Sequence, residues 1–372
     1  MKNKKFLFIC KDAGSLINFR GDLIRALEVE GFSIIAICNN TAKPALASEL
    51  KRANIELRYA GYQSKNPLVI FYSVLKIKKI IREVQPEIIL SYTLVATIFG
   101  SFAALFAHHK NFFSLVTGRG ILFTAPNIFS LIRKHAVVTL LRIIYPFNKK
   151  ILFQNKDDAS LFVDLGILPK DKVNIISGGS GVNMRHFFPT ALPPDLVFLT
   201  IARLLKHKGL YEYALAAKAF LKIYPSARFL IAGSPDQSPD HIPLEEVQNL
   251  WPAQYGTEYI GYYDDVRDAV NLCSVFVLLS HHEGLPRSSI EAMAMGRPIL
   301  TTNAPGCNET IENNRNGFLV DVNNPEAAFH AMKKFTEPNV RAAMGKESIA
   351  ICKNKFDVDS VNDCMLKILD II

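Results

Sequence analysis

A chain of 372 residues, 49% hydrophobic and 21% charged with a net charge of +9, is too long for one ordinary core and too apolar for a disordered chain, so two domains are expected. Its six cysteines (Cys10, Cys38, Cys273, Cys307, Cys352, Cys364) include no CxxC and no short pairing distance, which argues against a zinc site or a disulfide framework and for a reducing compartment. Residues 1–193 hold 26 basic against 12 acidic side chains (+14) and residues 194–372 hold 17 against 22 (−5); without an aromatic-rich basic motif this disfavours nucleic acid and leaves an anionic membrane face or a phosphate-bearing acceptor to meet the first half.

In chain order, MKNKKFLFIC has a basic start but only about five apolar residues before Lys11 and Asp12, short of the roughly 7–15 of a signal peptide, and reads as a first strand. INFRGDLIRALEVEG reads as a helix, FSIIAIC as a strand, KPALASELKRAN as a helix, IELRYA as a strand and FYSVLKIKKIIREVQ as a long helix. The charge-free run Ile88 to Ala107 matches a membrane-spanning helix in length. Its Ser91, Tyr92, Thr93, Thr97, Gly100 and Ser101, and the strand-like EIILSY at its start, favour a buried strand followed by a buried helix.

FFSLVTG follows as a strand. Asn127 to Phe147 then has apolar residues around most of a helix with Arg133, Lys134, His135 and Arg142 interspersed. It reads either as a buried helix with a wet stripe or as a helix lying in a membrane interface. KKILFQN, DDASLFVDLG and KVNIISG continue the strand and helix alternation, and the Pro-rich FFPTALPPD closes the first half. LVFLTIA restarts the pattern, which runs through ARFLIAG, TEYIGYY, SVFVLLS, PILTTN and GFLVDV as strands. Such alternation predicts an α/β protein of two doubly wound, Rossmann-like parallel sheets. The expected boundary lies near Pro189 to Pro194, giving Rossmann-like domains at 1–190 and 191–356, with the helical tail 357–372 returning to the first.

Sheets of this kind bind ligands outside the carboxyl ends of their strands, so the loops there carry the reading. Arg203, Lys206 and Lys208 follow LVFLTIA and precede Gly209. An isolated RLLKHKG is compatible with plain surface charge, but Arg203 and Lys208 stand where a diphosphate is held by charge-assisted hydrogen bonds. In HHEGLPRSSIEAMAMGRP, Ser288 and Glu291 fit the capping box S-x-x-E. Glu283 has no such structural excuse; in its loop it can accept from sugar hydroxyls while the N–H groups of Gly284 and Leu285 face an anion. Gly14 either closes a strand–helix turn or lets backbone approach a phosphate. No paired aspartates end a strand as a metal site requires. Asp264–Asp265 and Asp357 to Asp359 both precede helical patterns, where acids favour the helix dipole, so neither metal nor cofactor is expected.

The motifs together resemble the retaining GT-B glycosyltransferases, in particular glycosyltransferase family 4. ARLLKHKG stands for the family's G-R-L-x-x-x-K-G with Ala202 in place of the usual Gly, and Glu283 to Glu291 completes E-x7-E. AGS at 232–234, IGYYDDV at 260–266, GCNETI at 306–311, NGFLV at 316–320 and GVNMRHFFP at 181–189 are further matches. A subgroup similar to the bacterial transferases acting on undecaprenyl-diphosphate-linked sugars shares an A-G-x4-F-R start, here AGSLINFR, and a glycine-containing turn where other members carry His, here Thr117-Gly118-Arg119.

This resemblance implies a UDP-sugar donor, of the N-acetylhexosamine kind, and a polyprenyl-diphosphate-linked saccharide as acceptor. Arg203 and Lys208 would grip the donor diphosphate in place of a metal ion, Glu283 would face the transferred sugar and Glu291 the ribose hydroxyls. Gly14, Gly284 and Leu285 would complete the donor site; Arg20, Thr117 and Arg119 would meet the acceptor. The site would lie in a cleft that closes over the donor to exclude water, with transfer by a front-face path, at the cytoplasmic face of an anionic membrane. A nucleotide-sugar 2-epimerase of the same fold and a non-catalytic basic membrane-binding protein remain open as alternatives.

Overall fold

Short β-branched and aromatic runs alternating with amphipathic segments are realised as two all-parallel sheets in the computed structural model, which describes residues 4–39, 44–61, 67–118 and 128–372. The first sheet is built from β1 (Lys4–Cys10), β2 (Phe32–Cys38), β3 (Glu56–Tyr59), β4 (Ile88–Tyr92), β5 (Phe112–Val116), β6 (Lys150–Phe153) and β7 (Val173–Ile175), in the order β3-β2-β1-β4-β5-β6-β7. Its crossovers carry α1 (Gly14–Val29), α2 (Pro44–Arg52), α3 (Pro67–Val84), α4 (Leu94–Ala107), α5 (Ile128–Ile144) and α6 (Lys156–Asp164). The second sheet is β10-β9-β8-β11-β12-β13, from β8 (Val197–Ile201), β9 (Arg228–Ala232), β10 (Thr257–Gly261), β11 (Val275–Leu278), β12 (Ile299–Thr302) and β13 (Gly317–Val320). Helices α7 (Leu210–Leu221), α8 (Trp251–Tyr255), α9 (Val266–Asn271) and α10 (Arg287–Ala294) connect those strands, and α11 (Pro325–Lys334), α12 (Pro338–Ile351) and α13 (Val358–Ile368) follow.

Period-two alternation places the strand side chains on two buried faces. Along β1, Phe6, Phe8 and Cys10 join the core shared with α1 and with Val361, Met365 and Leu366 of α13, whereas Leu7 and Ile9 face the core of α3 and α4. In the second sheet Phe198 packs on the side of α7 and α11, and Leu199 on the side of α10.

The chain divides into two compact units, Met1–Ser180 with Asp359–Ile372, and Gly181–Val358. The Pro-rich segment around Pro189 to Pro194 therefore lies inside the second unit, where the buried Arg297 guanidinium donates to the Thr190 carbonyl at 3.0 Å and to its hydroxyl at 2.9 Å. The ends of this unit run side by side: the Val182 amide donates to the Phe356 carbonyl (2.8 Å) and the Val358 amide to the Val182 carbonyl (3.1 Å).

The apolar run Ile88 to Ala107 is the buried strand β4 followed by α4, with Thr93 between them. Among the described residues no helix is long and apolar enough to cross a membrane. Asp265 caps α9 by accepting from the Arg267 amide, and Asp359 sits in the first turn of α13, so both aspartate pairs lie at helix starts.

Candidate functional site

In each sheet the connections run one way from the starting strand and then return to its other side, so a topological switch point opens between β1 and β4 and another between β8 and β11. The second is charged. Lys206–Lys208 form a 3₁₀ turn after β8, and Gly209, in the left-handed region at φ +71°, begins the approach to α7. A Cβ on Gly209 would lie 2.0 Å from the Leu279 carbonyl oxygen, so only glycine lets this turn rest on the end of β11. The His281 amide donates to the His207 carbonyl at 2.9 Å and the Ser280 hydroxyl to the same oxygen at 3.2 Å, stitching the two loops together.

Lys208 and Glu283, 75 positions apart in sequence, are thereby joined: Nζ donates to Oε1 at 2.5 Å, with only 13% and 16% of the two side chains exposed. Burial pushes the Glu283 carboxyl up, but the Lys208 ammonium outweighs it, by charge and by its hydrogen bond. With help from Ser280 and His282 it holds the group below its ordinary 4.5. The loop is supported from behind by GCNETI. The Glu283 amide donates to the Pro305 carbonyl at 2.9 Å, and a Cβ on Gly306 would lie 2.3 Å from the Glu283 carbonyl and 2.6 Å from that of Gly284. Gly284 is buried in this contact and Leu285 is half-buried beside it.

Arg203 stands two residues beyond β8, 57% exposed, donating to Asp236 at 2.7 Å. It lines a hollow of about 170 Å³ together with Ala202, Gly233, Ser234, Tyr262 and Tyr263. Burial alone would raise Asp236, but the Ser238 hydroxyl and amide and the Arg203 guanidinium bring it down to about 2.

The capping box expected at Ser288 to Glu291 does not form. Pro286, in an extended conformation, is the N-cap and α10 starts at Arg287, so Ser288 already lies inside the first turn. The Ser288 hydroxyl donates instead to the Ile201 carbonyl at 3.2 Å, seating α10 on the end of β8. Glu291 accepts from Arg287 Nε at 2.7 Å with 9% of its side chain exposed. Burial is the larger influence on its carboxyl, which rises above 4.5 despite Arg287, with Asp265 adding to the rise. Two glutamates eight residues apart are thus poised in opposite directions.

Sequence reading missed Asp236, Asp240, Glu212 and Arg287. Asp240 pairs with His207 Nδ1, and Glu212 Oε1 lies 3.1 Å from His281 Nε2, so both loops are flanked by histidine–carboxylate pairs. Asp236 and Asp240 lie in SPDQSPDH directly after β9, and the strand-end rule already used for Arg203 would have found them. Among the described residues no three His, Cys, Asp or Glu side chains converge as metal ligands.

The first switch point holds the remaining candidates. Gly14 opens α1 after β1, where Asp12 Oδ1 accepts from the Ser15 amide at 2.9 Å and the Ser15 and Tyr92 hydroxyls meet at 2.8 Å. A Cβ on Gly14 would make ordinary contacts, 3.4 Å to Asp12 Oδ1 and 3.7 Å to Leu46, so the fold does not itself require glycine there. Arg20 is 4% exposed, packed over the Tyr92 ring at 5.3 Å and donating to Ser180 at 3.4 Å, rather than held out in solvent. Thr117 and Gly118 follow β5, half-buried, one strand beyond β4, and Arg119 lies outside the described residues.

Residues 185–350 match the model of the family described as glycosyl transferases group 1. The chain is 26% identical over 335 residues, 85% of each chain, to N,N'-diacetylbacillosaminyl-diphospho-undecaprenol alpha-1,3-N-acetylgalactosaminyltransferase of Campylobacter jejuni. It is 23% identical to the UDP-Gal:alpha-D-GlcNAc-diphosphoundecaprenol alpha-1,3-galactosyltransferase of Escherichia coli, over 94% of this chain and 83% of that one. Among solved structures, Anabaena HepE in complex with UDP-glucose is similar with a TM-score of 0.78 at 18% identity, covering 99% of this chain and 100% of that one. Sucrose-phosphate synthase of Thermosynechococcus elongatus reaches 0.80 at 16% identity, covering 99% and 98%. These likenesses bear out the expected GT-B fold of two Rossmann-like domains.

Proposed function

With residues 185–350 a group 1 glycosyltransferase domain of the GT-B type, we propose that the protein is a retaining, metal-independent transferase that moves an N-acetylhexosamine from its UDP-sugar to a polyprenyl-diphosphate-linked saccharide. The observation that carries this reading is the convergence of Arg203, Lys208, Glu283 and Glu291 on the loops and helix start at the carboxyl ends of β8 and β11. When the bond between the sugar's anomeric carbon and the diphosphate oxygen breaks, negative charge collects on the departing UDP. Lys208 and Arg203 stabilise that charge where a metal ion would otherwise do so. Both are held by carboxylates, Glu283 and Asp236, so an arriving diphosphate exchanges one anionic partner for another instead of meeting unpaired cations.

Glu283, once released by Lys208, accepts from the sugar hydroxyls, and Glu291 accepts from the ribose. In a front-face path the departing phosphate oxygen takes the acceptor's proton, and no protein base is required. The acceptor class is supported by the two relatives, whose names carry diphospho-undecaprenol substrates. Arg20 and Thr117 at the first switch point are proposed to meet that acceptor, and the reaction is assigned to the cytoplasmic face of a membrane. A panel of nucleotide sugars scored by thermal stabilisation, followed by product release with and without a lipid-linked acceptor, tests the reading. Stabilisation by UDP-N-acetylhexosamines and strictly acceptor-dependent turnover are expected. Acceptor-independent epimerisation or hydrolysis would overturn it in favour of a 2-epimerase.

A further inference from the structure

Helix α3 turns five apolar side chains, Val74, Ile77, Ile80, Ile81 and Val84, into the core it shares with β1 and α4. Its outer stripe is not polar as a surface helix requires. Phe71 and Tyr72 are 58% and 67% exposed, and Val69 and Leu75 stand out beside them. The following turns carry Lys76, Lys78, Lys79 and Arg82 against one acid, Glu83, which lies 3.8 Å from Lys79. Aromatic side chains leading into a cationic stretch are the composition of a helix that seats its rings at the level of lipid headgroups and its cations among anionic phosphates.

Another exposed apolar pair of this unit, Ile143 and Phe147 at the end of α5, lacks that accompaniment. The Arg142 guanidinium donates to the Leu165 carbonyl at 3.1 Å, Lys172 donates to the Pro146 carbonyl at 2.8 Å, and Lys149 and Lys150 both pair with Asp370. The cations around Ile143 and Phe147 are therefore committed to holding the fold. Around α3 the Arg82 guanidinium makes one long hydrogen bond, to the Phe106 carbonyl at 3.4 Å, and among the described residues only Lys79 makes an ion pair, a loose and exposed one. A second copy of the chain docked face to face on α3 would bring two sets of four cations together, which disfavours self-association. An anionic lipid surface neutralises them.

We infer that the outer face of α3, and not the end of α5 around Ile143 and Phe147, is the surface by which the protein sits on an anionic membrane, with Phe71 and Tyr72 inserted and Lys76, Lys79 and Arg82 on the headgroups. The inference deepens the reading of a lipid-linked acceptor and rests on it for its purpose, but its test does not depend on activity. Full-length protein is sedimented with phosphatidylcholine vesicles with and without phosphatidylglycerol, at low and high salt. The wild type is expected to bind only the anionic vesicles and to be released by salt.

The triple variant Lys76→Glu, Lys79→Glu, Arg82→Glu should bind about 100-fold more weakly, the scale of losing three near-surface cations. Phe71→Ser with Tyr72→Ser should bind at least about tenfold more weakly. Ile143→Ser with Phe147→Ser should bind as the wild type does. All three variants should keep the wild-type melting temperature. Wild-type binding by both α3 variants, or release by the Ile143 and Phe147 variant alone, would overturn the assignment. So would light scattering that shows a dimer lost in the Phe71 and Tyr72 variant while vesicle binding is unchanged, which would give the face to a second copy. Failure to transfer sugar to a water-soluble acceptor, with vesicle binding as expected, would instead overturn the proposed reaction and leave the docking face standing.

Discussion

The two switch points share one topology and differ in what stands there. Between β8 and β11 the strand-end loops hold charge in exchangeable form: Arg203 on Asp236, Lys208 on Glu283, His207 on Asp240 and His281 on Glu212. Between β1 and β4 the corresponding positions hold hydroxyls and thiols, with the exposed Lys11 and Asp12 directly after β1. Cys10 and Cys38 lie 3.4 Å apart, Ser15 meets Tyr92, and Arg20 is buried over the Tyr92 ring. Thr93, at φ +72°, is a β-branched residue in a conformation that such residues rarely adopt, and its hydroxyl is buried without a partner. The first switch point offers small polar groups; the second, on the proposed reading, swaps one anion for another.

The largest effect that could break this contrast comes from removing the cations of the second site. Lys208→Ala and Arg203→Ala should each lower turnover by about 10²-fold or more, with melting temperatures changed little for Arg203→Ala because its side chain is exposed. Near-normal steady-state rates in both variants would remove the diphosphate from this site.

Exchange of anions makes a less obvious demand on Glu283. If its carboxylate and the diphosphate compete for Lys208, Glu283→Gln should slow transfer and yet tighten UDP binding, by about tenfold or about 1.4 kcal/mol. Titration calorimetry with UDP reads the second effect directly. Weaker UDP binding would mean that the Lys208–Glu283 pair persists in the loaded enzyme.

The opposite poise of the two glutamates sharpens the comparison on the pH axis. Glu283 is lowered, so the stability it contributes is present above its ordinary 4.5 and is lost as pH falls through its folded value; Glu291 is raised, so its contribution is present below 4.5 and is lost as pH rises through its folded value. Thermal melts between about pH 3 and pH 6 should show Glu283→Gln flattening the acid loss and Glu291→Gln flattening the opposing trend. Glu291→Gln should also raise the donor KM more than it lowers kcat.

The smallest effect on stability tests the first site. Gly14→Ala should leave stability equal or raise it by up to about 1 kcal/mol, since the helix tolerates the methyl group. A fall in activity in that stable variant would mark a ligand close to this backbone; unchanged activity would make Gly14 an ordinary turn residue.

Both sheets and the split of Ile88 to Ala107 into strand and helix were legible because period-two and period-3.6 patterning is written locally. The Lys208–Glu283 pair was not, since 75 residues and a Gly209–Leu279 contact stand between the two positions. The S-x-x-E match offered Glu291 a cap role beside the ribose contact, and the cap does not form because Pro286 takes the N-cap two residues ahead of Ser288. Arg142 stood open between a wet stripe and a lipid-facing charge because sequence cannot show that the Leu165 carbonyl claims it. Arg20 was legible as part of a motif but not as a buried group, because its cover comes from Tyr92, 72 positions on.

The paired segments at Val182 and Phe356 to Val358 make the second unit a contiguous insertion whose two ends leave at one place. Domains inserted in this manner can be exchanged as single blocks, because both junctions fall together and few hydrogen bonds need rebuilding. A gene segment encoding 181–358 is therefore a natural cassette: recombination at its edges would replace the whole unit proposed to hold the nucleotide sugar while leaving α13 to complete the core of its host. Diversity in the sugar transferred could then arise by transplantation, without a single point change in the half that carries α3.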